Sequence, residues 1–137
     1  MRILALDHGA KRIGVAVSDE SQMIAQPLEY ILAAPFPAFL ARLNELVNDK
    51  EVELILIGIP RNMDGTFGPA ALKVQDFVEA LKSSLSVPIK TWDERLTSAQ
   101  ANRVLIQGNV RRDKRKEKVD KMAAAILLQS YLDSQAG

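Results

Sequence analysis

Three acids, Asp7, Glu94 and Asp120, are the residues of this chain whose types and settings could do chemistry. Asp7 ends an unbroken apolar run, Glu94 follows another, and Asp120 opens an alanine-rich stretch with helical character. Brought together, three carboxylates repel one another unless a divalent cation neutralises them. The chain has no cysteine and one histidine, which excludes thiolate and His-rich zinc sites, so hard oxygen ligands point to Mg²⁺ or Mn²⁺. Two such ions about 4 Å apart can activate a water, position a phosphodiester and stabilise its leaving oxygen. Each acid also has a plainer role: Asp7 as a turn residue, Asp120 as a helix N-terminal acid favoured by the macrodipole, Asp93 and Glu94 as solvated surface acids. The chemistry therefore depends on whether the fold makes the three converge.

The elements that must position them are legible in order. Ile3 to Leu6 lacks polar alternation and is expected at the centre of a sheet covered on both faces. After Asp7 and a turn at Gly9, Ile13, Val15 and Val17 alternate with Gly14, Ala16 and Ser18, which predicts the second arm of a hairpin. Gly14 permits close approach of backbone or ligand. Ile24, Leu28, Tyr30 and Leu32 mark a third strand, and Pro27 argues that it lies at an edge. Phe36, Phe39, Leu40, Leu43, Leu46 and Val47 recur at helical spacing up to about Lys50. Leu54 to Ile59 predicts a buried strand parallel to the first. A loop at 61–68 follows, then a helix from Pro69 with Ala70, Val74, Phe77, Val78, Leu81 and Leu85 inward.

Val87 to Trp92 gives a fifth strand with Trp92 buried, again ending on acids. Thr97 and Gln100 have capping-box spacing and predict a helix ending near Gly108. A mobile basic segment and a last helix from about Val119 to Asp133 complete the chain. The expected architecture is α/β: an antiparallel three-strand meander plus two parallel strands in one mixed five-stranded sheet, with helices on both faces and a single domain over 1–137. In such sheets sites lie at the carboxyl ends of the parallel strands, where Asp7, the Asn62 loop and Glu94 all fall. Three alanines at 123–125 would let the last helix approach the sheet closely and bring Asp120 near Asp7.

Bulk properties narrow the classes. Eighteen Lys and Arg against 17 Asp and Glu leave a net charge of +1, so any basic surface must be local. No run approaches the ~20 apolar residues of a membrane span, which predicts a soluble cytoplasmic protein with no membrane partner. Between Asn109 and Lys118 lie six cations and two acids, a local +4 that leaves the remainder net negative. A solvated loop is the ordinary meaning of such a run, but its position before Asp120 would let Arg111, Arg112, Lys114 and Arg115 reach a phosphate backbone. Lys11, Arg12, Arg61, Asn62 and Arg95 are further candidates to position a nucleic-acid strand beside the carboxylates. With Trp92 inside, base stacking is not indicated, and recognition of shape or structure is expected.

Asp7-x-Gly9-x-Lys11-Arg12-Ile13-Gly14-Val15-Ala16-Val17-Ser18-Asp19, Gly58-Ile59-Pro60-x-Asn62-Met63-Asp64-Gly65, Asp93-Glu94-Arg95-Leu96-Thr97 and Val119-Asp120-x-x-Ala123-Ala124 resemble the signature blocks of the YqgF family, in the family's order and across nearly the whole chain. The resemblance implies an RNase H-like fold and a two-metal nuclease with Asp7, Glu94 and Asp120 as the metal-binding catalytic carboxylates. It also implies structured RNA, in the processing of pre-16S ribosomal RNA, or branched DNA, as in Holliday-junction resolution. Pre-ribosomal particles are then possible partners of a monomer or homodimer. No family role is carried onto His8. Two rivals stand beside this reading. The Asp-x-Gly start also resembles the first phosphate loop of actin-like ATPases and sugar kinases, which bind nucleotide between two lobes where this chain supplies one. The other rival is a metal-free nucleic-acid-binding ribosome-assembly factor that keeps the fold without cutting.

Overall fold

A computed structural model of the protein describes residues 1–60, 64–93 and 112–135, with 112–121 described as helical backbone alone. Strands β1 (Arg2–His8), β2 (Arg12–Ser18) and β3 (Ala25–Leu32) come first, followed by helix α1 (Phe36–Asp49), β4 (Val52–Ile59), α2 (Pro69–Ser84), β5 (Ile89–Asp93) and α3 (Arg112–Gln135). The strands form one mixed sheet in the order β3-β2-β1-β4-β5. β1–β2 and β2–β3 pair antiparallel, while β1–β4 and β4–β5 pair parallel, as the pattern of continuous and alternating apolar runs predicts. The middle strand is β1, and Leu4, Ala5 and Leu6 on it are fully buried.

Pro27 does lie on an edge strand, next to a register shift between Val15 and Ala16 that accommodates its missing N–H. At the turn between β1 and β2, a Cβ on Gly9 would overlap the carbonyl oxygen of Arg12. Glycine is needed there for close approach of the two strands. At the other end of the hairpin the Ser18 hydroxyl accepts the Ile3 N–H at 2.9 Å and donates to the Asp19 carbonyl at 3.0 Å.

Two cores sandwich the sheet. Leu4, Leu6, Ile13, Val15, Ile55 and Ile57 meet α1 and α2 through Phe39, Leu43, Val74 and Leu81. Ile3, Ala5, Ala16 and Leu56 meet α3 through Ala124, Leu127, Leu128 and Tyr131. Ala5 and Ala16 are a directly opposed cross-strand pair, and Ala123, Ala124 and Ala125 are all buried, so small residues face each other across this interface. Dispersion between such short side chains requires the helix to come close.

The structure corrects several details of the sequence reading. On α2 the inward position is Ala71, with Ala70 exposed, because Ala71, Val74, Val78 and Leu81 form the continuous stripe. Leu85 follows the helix but still packs on the core. Ile24 precedes β3 and is exposed. Trp92 is only half-buried, since β5 is the outermost strand and has a neighbour on one side only. The last helix begins at Arg112 rather than Val119, so residues 112–118 of the basic segment are helix and not a loop. Arg, Lys and Glu are good helix formers, and the Ala-rich stretch downstream supplies a nucleus from which the helix can propagate backwards. The helix expected at 97–108 lies outside the described residues.

Candidate active site

Asp7 is the penultimate residue of the middle strand, at the edge where β1, β4 and β5 present their carboxyl ends. By strand alternation it shares a face with Ile3 and Ala5, the face that α3 covers. Its partner on β2 is Gly14, and Gly58 on β4 stands one residue beyond the Leu6–Ile57 pair, beside Asp7. A cross-sheet row therefore reads Tyr30, Gly14, Asp7, Gly58, Trp92. The carboxylate has no side chain beside it on either neighbouring strand. Glycine on both sides leaves lateral room at a half-buried acid, which is what ligands or a helix approaching that carboxylate require.

β5 ends at Asp93, paired with Ile59, on the same edge of the sheet. Glu94 and Arg95 follow it and lie outside the described residues, as do Arg61, Asn62 and Arg111. The Gln129 side chain of α3 accepts the Ala25 N–H and donates to the Met23 carbonyl, which fixes the C-terminal half of the helix near the end of the sheet that carries Ser18. Helix position 120 is one turn before Ala123 and Ala124, which pushes it towards the Asp7 end, at about 1.5 Å per residue. Arg112, Lys114 and Arg115 are on the first turn of the same helix. Of the expected carboxylates, Asp7 alone has a described side chain, and among the described residues no group of three His, Cys, Asp or Glu could hold a metal.

The remaining candidates on described strands flank Asp7. Lys11 is exposed in the β1–β2 turn, and the Arg12 guanidinium sits over the Tyr30 ring, 5.0 Å from its centre. His8 points to the opposite face from Asp7, its ring 4.7 Å from that of Phe77. Burial, and after it the positive charge of Lys73, lowers the His8 pKa from 6.5 and favours the neutral imidazole. Trp92 meets Tyr131 edge-on with ring centres 5.2 Å apart, and its indole N–H reaches the Ser130 hydroxyl at 3.4 Å. A cleft of about 500 Å³ lined by Met1, Asn48, Val52 and Val87 opens at the far end of the sheet, away from Asp7. The glycine on each side of Asp7 escaped the sequence reading in part: Gly14 stood out as a close-approach residue, but Gly58 appeared only as a member of a signature block, since register between distant strands cannot be read from spacing.

A family model described as Holliday junction resolvase, RuvX, matches residues 1–134. The chain belongs to the RuvX (YqgF) family. The RuvX chain is 51% identical over 136 residues to a protein of Thermoanaerobacter pseudethanolicus named "Putative pre-16S rRNA nuclease", covering 98% of each. A protein of the same name from Halothermothrix orenii is 49% identical, over 98% of this chain and 96% of the relative. Among solved structures, the fowlpox virus resolvase bound to Holliday junction DNA superposes with a TM-score of 0.58 at 15% identity over the full length of both chains. RuvC of T. thermophilus with its junction substrate gives 0.53 at 18% identity, over 100% of this chain and 97% of RuvC. The fold of this RuvX protein is thus the RuvC-like one, in agreement with the mixed sheet expected from sequence. Among the described residues no helix is long and apolar enough to cross a membrane.

Proposed function

We propose that this RuvX protein is a divalent-metal-dependent endonuclease that processes the precursor of 16S ribosomal RNA in the cytoplasm, working as one nuclease domain over residues 1–137. The observation that carries the reading is Asp7: a carboxylate at the end of the middle strand, on the face covered by α3, with glycine on each neighbouring strand. Asp7, Glu94 and Asp120 would hold Mg²⁺ or Mn²⁺. The donor chemistry fits, because a chain without cysteine whose one histidine faces away from Asp7 can offer such a cation only oxygen. When bound, the cation supplies Lewis acidity and an activated water for attack on a phosphodiester.

Asp7 projects from the middle strand of the sheet, paired on both sides, so its backbone is held rigidly and its carboxylate has few conformers to lose. Lys11, Arg12, Arg61, Asn62, Arg95, Arg111, Arg112, Lys114 and Arg115 would hold the phosphate backbone and set its register on the carboxylates without reading bases. The names of the bacterial relatives support pre-16S rRNA as the substrate; on this reading a monomer would act on it within a pre-ribosomal particle. A second reading, resolution of four-way DNA junctions, draws on the description of the family itself. It requires two matched cuts and hence a symmetric homodimer.

A cleavage panel of precursor rRNA, four-way DNA junctions and linear single strands, each with Mg²⁺, Mn²⁺ or chelator, tests the proposal. Metal-dependent cutting of the precursor ahead of the junction is expected. Binding of all three without cutting in any metal would identify a non-catalytic assembly factor instead.

A further inference from the structure

We infer that the cleft at the amino ends of the parallel strands is a docking site for a basic protein segment: an apolar side chain of the partner fills it, and a neighbouring lysine or arginine meets Glu51. The cleft opens where β1, β4 and β5 begin, the length of the sheet away from Asp7, and the nuclease reading makes no use of it. Its volume of about 500 Å³ is ample for a large side chain. Val47 at the end of α1, Val52 at the start of β4, and Leu85 and Val87 between α2 and β5 give it an apolar lining, to which the exposed Met1 adds. Asn48, Glu51 and Ser86 also line it and are exposed. Apolar surface beside exposed polar groups is the composition of a protein–protein contact.

Glu51 decides the sign of the partner's charge. Its φ of 54° is in the left-handed region, which disfavours residues other than glycine. The Arg2 N–H donates to the Glu51 carbonyl at 3.1 Å and the Arg2 guanidinium to the Lys50 carbonyl at 3.1 Å, so the turn that presents Glu51 is tied to β1. Among the described residues its carboxylate has no ion pair. With the exposed Glu20, Asp49 and Glu53 it outweighs Arg2, Lys50 and the amine of Met1, and the Arg2 guanidinium is already turned to Glu20 at 3.7 Å. Such a surface repels nucleic acid and draws a basic segment. A second copy docked here about a two-fold axis would set the same acids against one another.

The test is an amide NMR titration of the full chain with three short peptides: lysine alternating with leucine, lysine with serine, and glutamate with leucine. Only the lysine–leucine peptide is expected to give saturable shifts at Asn44, Asn48, Glu51 and Ser86. Glu51→Gly, which the backbone accepts without strain, should weaken that binding by about two- to fivefold while the melting temperature stays level or rises. Ser86→Tyr, which fills the cleft, should abolish it. Equal shifts with either control peptide, no saturable shift with the lysine–leucine peptide, or full affinity in Glu51→Gly overturn the inference. Shifts at the same amides on raising the protein concentration alone would make the occupant a second copy, and shifts there with structured RNA would make it nucleic acid; each overturns the inference as well. No outcome depends on whether the protein cuts, so the nuclease reading stands or falls separately.

Discussion

The two faces of the sheet are built from different materials. Towards α1 and α2 the strands present leucine, isoleucine and valine, and the helices answer with phenylalanine and leucine. Towards α3 the same strands present Ala5, Ala16, Gly14 and Gly58 beside Ile3 and Leu56, and the helix answers with Ala124 and Ala125 beside Leu127, Leu128 and Tyr131. The first face is filled by side-chain volume, so its helices stand off at a distance set by large residues. The second mixes such residues with a patch of alanine and glycine where backbone can approach backbone, and Asp7 is on that face. The comparison teaches that burial and chemistry have been divided between the sides of one sheet: one secures stability, and the other trades side-chain volume for proximity to a carboxylate.

The largest expected break in this comparison is Asp7→Asn. Losing a ligand that stabilises the reaction by several kcal/mol should lower metal-dependent cleavage by about a thousandfold, while thermal melts stay level or rise slightly as a like charge is removed. Loss of the fold in that variant would make Asp7 structural. Next, Leu4→Ala on the α1/α2 face should cost about 2–5 kcal/mol in urea melts, the cost of a cavity among large neighbours. On the other face the sensitive change has the opposite sense. Ala124→Leu should cost about 1–3 kcal/mol by overpacking and lower cleavage further than stability, because it lifts α3 and position 120 from the sheet. A neutral Ala124→Leu would show that the α3 interface is no tighter than its counterpart.

The smallest effect belongs to the far end of the β2–β3 hairpin. Asp19 accepts the N–H groups of Met23 and Ile24 at 2.8 and 3.0 Å and the Ser21 hydroxyl at 2.5 Å. These bonds, the Ile24 one foremost, lower its pKa from 3.8 to about 2. The folded value lies below the unfolded one, so the stabilisation is present above 3.8 and is lost as the pH falls through about 2. Asp19→Asn should flatten that acid limb of a stability–pH profile with little change at neutral pH, and an NMR titration of the carboxyl carbon reads the pKa directly.

Sheet composition and the placement of β1, β2, α1 and β4 were legible because their periodicities are unmixed: Ile3–Leu6 and Leu54–Ile59 have no polar interruption, and α1 keeps one stripe. The edge position of β3 followed from a single residue, Pro27, through its missing donor. What spacing alone did not reveal was register. The row that sets Gly14 and Gly58 beside Asp7 and Tyr30 beyond it depends on how four strands align, and no residue announces that alignment. The start of α3 was misjudged for a local reason: dense charge resembles a solvated loop, yet Lys, Arg and Glu are also favourable helix residues. Burial of Trp92 was overestimated because alternation tells which face a residue is on, not how many strands lie beyond it.

The position of α3 at the end of the chain order has a consequence for biogenesis. Every strand it covers is synthesised before it, so a nascent chain can complete the sheet while Ala5, Ala16 and Leu56 are still uncovered. The contacts that close this face span the longest sequence separations in the molecule, and such contacts form late and slowly. Until then the half-made protein carries a finished aliphatic core on one side and a bare apolar surface on the other, which is the form a holding chaperone would grip. The face bearing Asp7 is therefore sealed last, and a chain released early would be folded in part and inert.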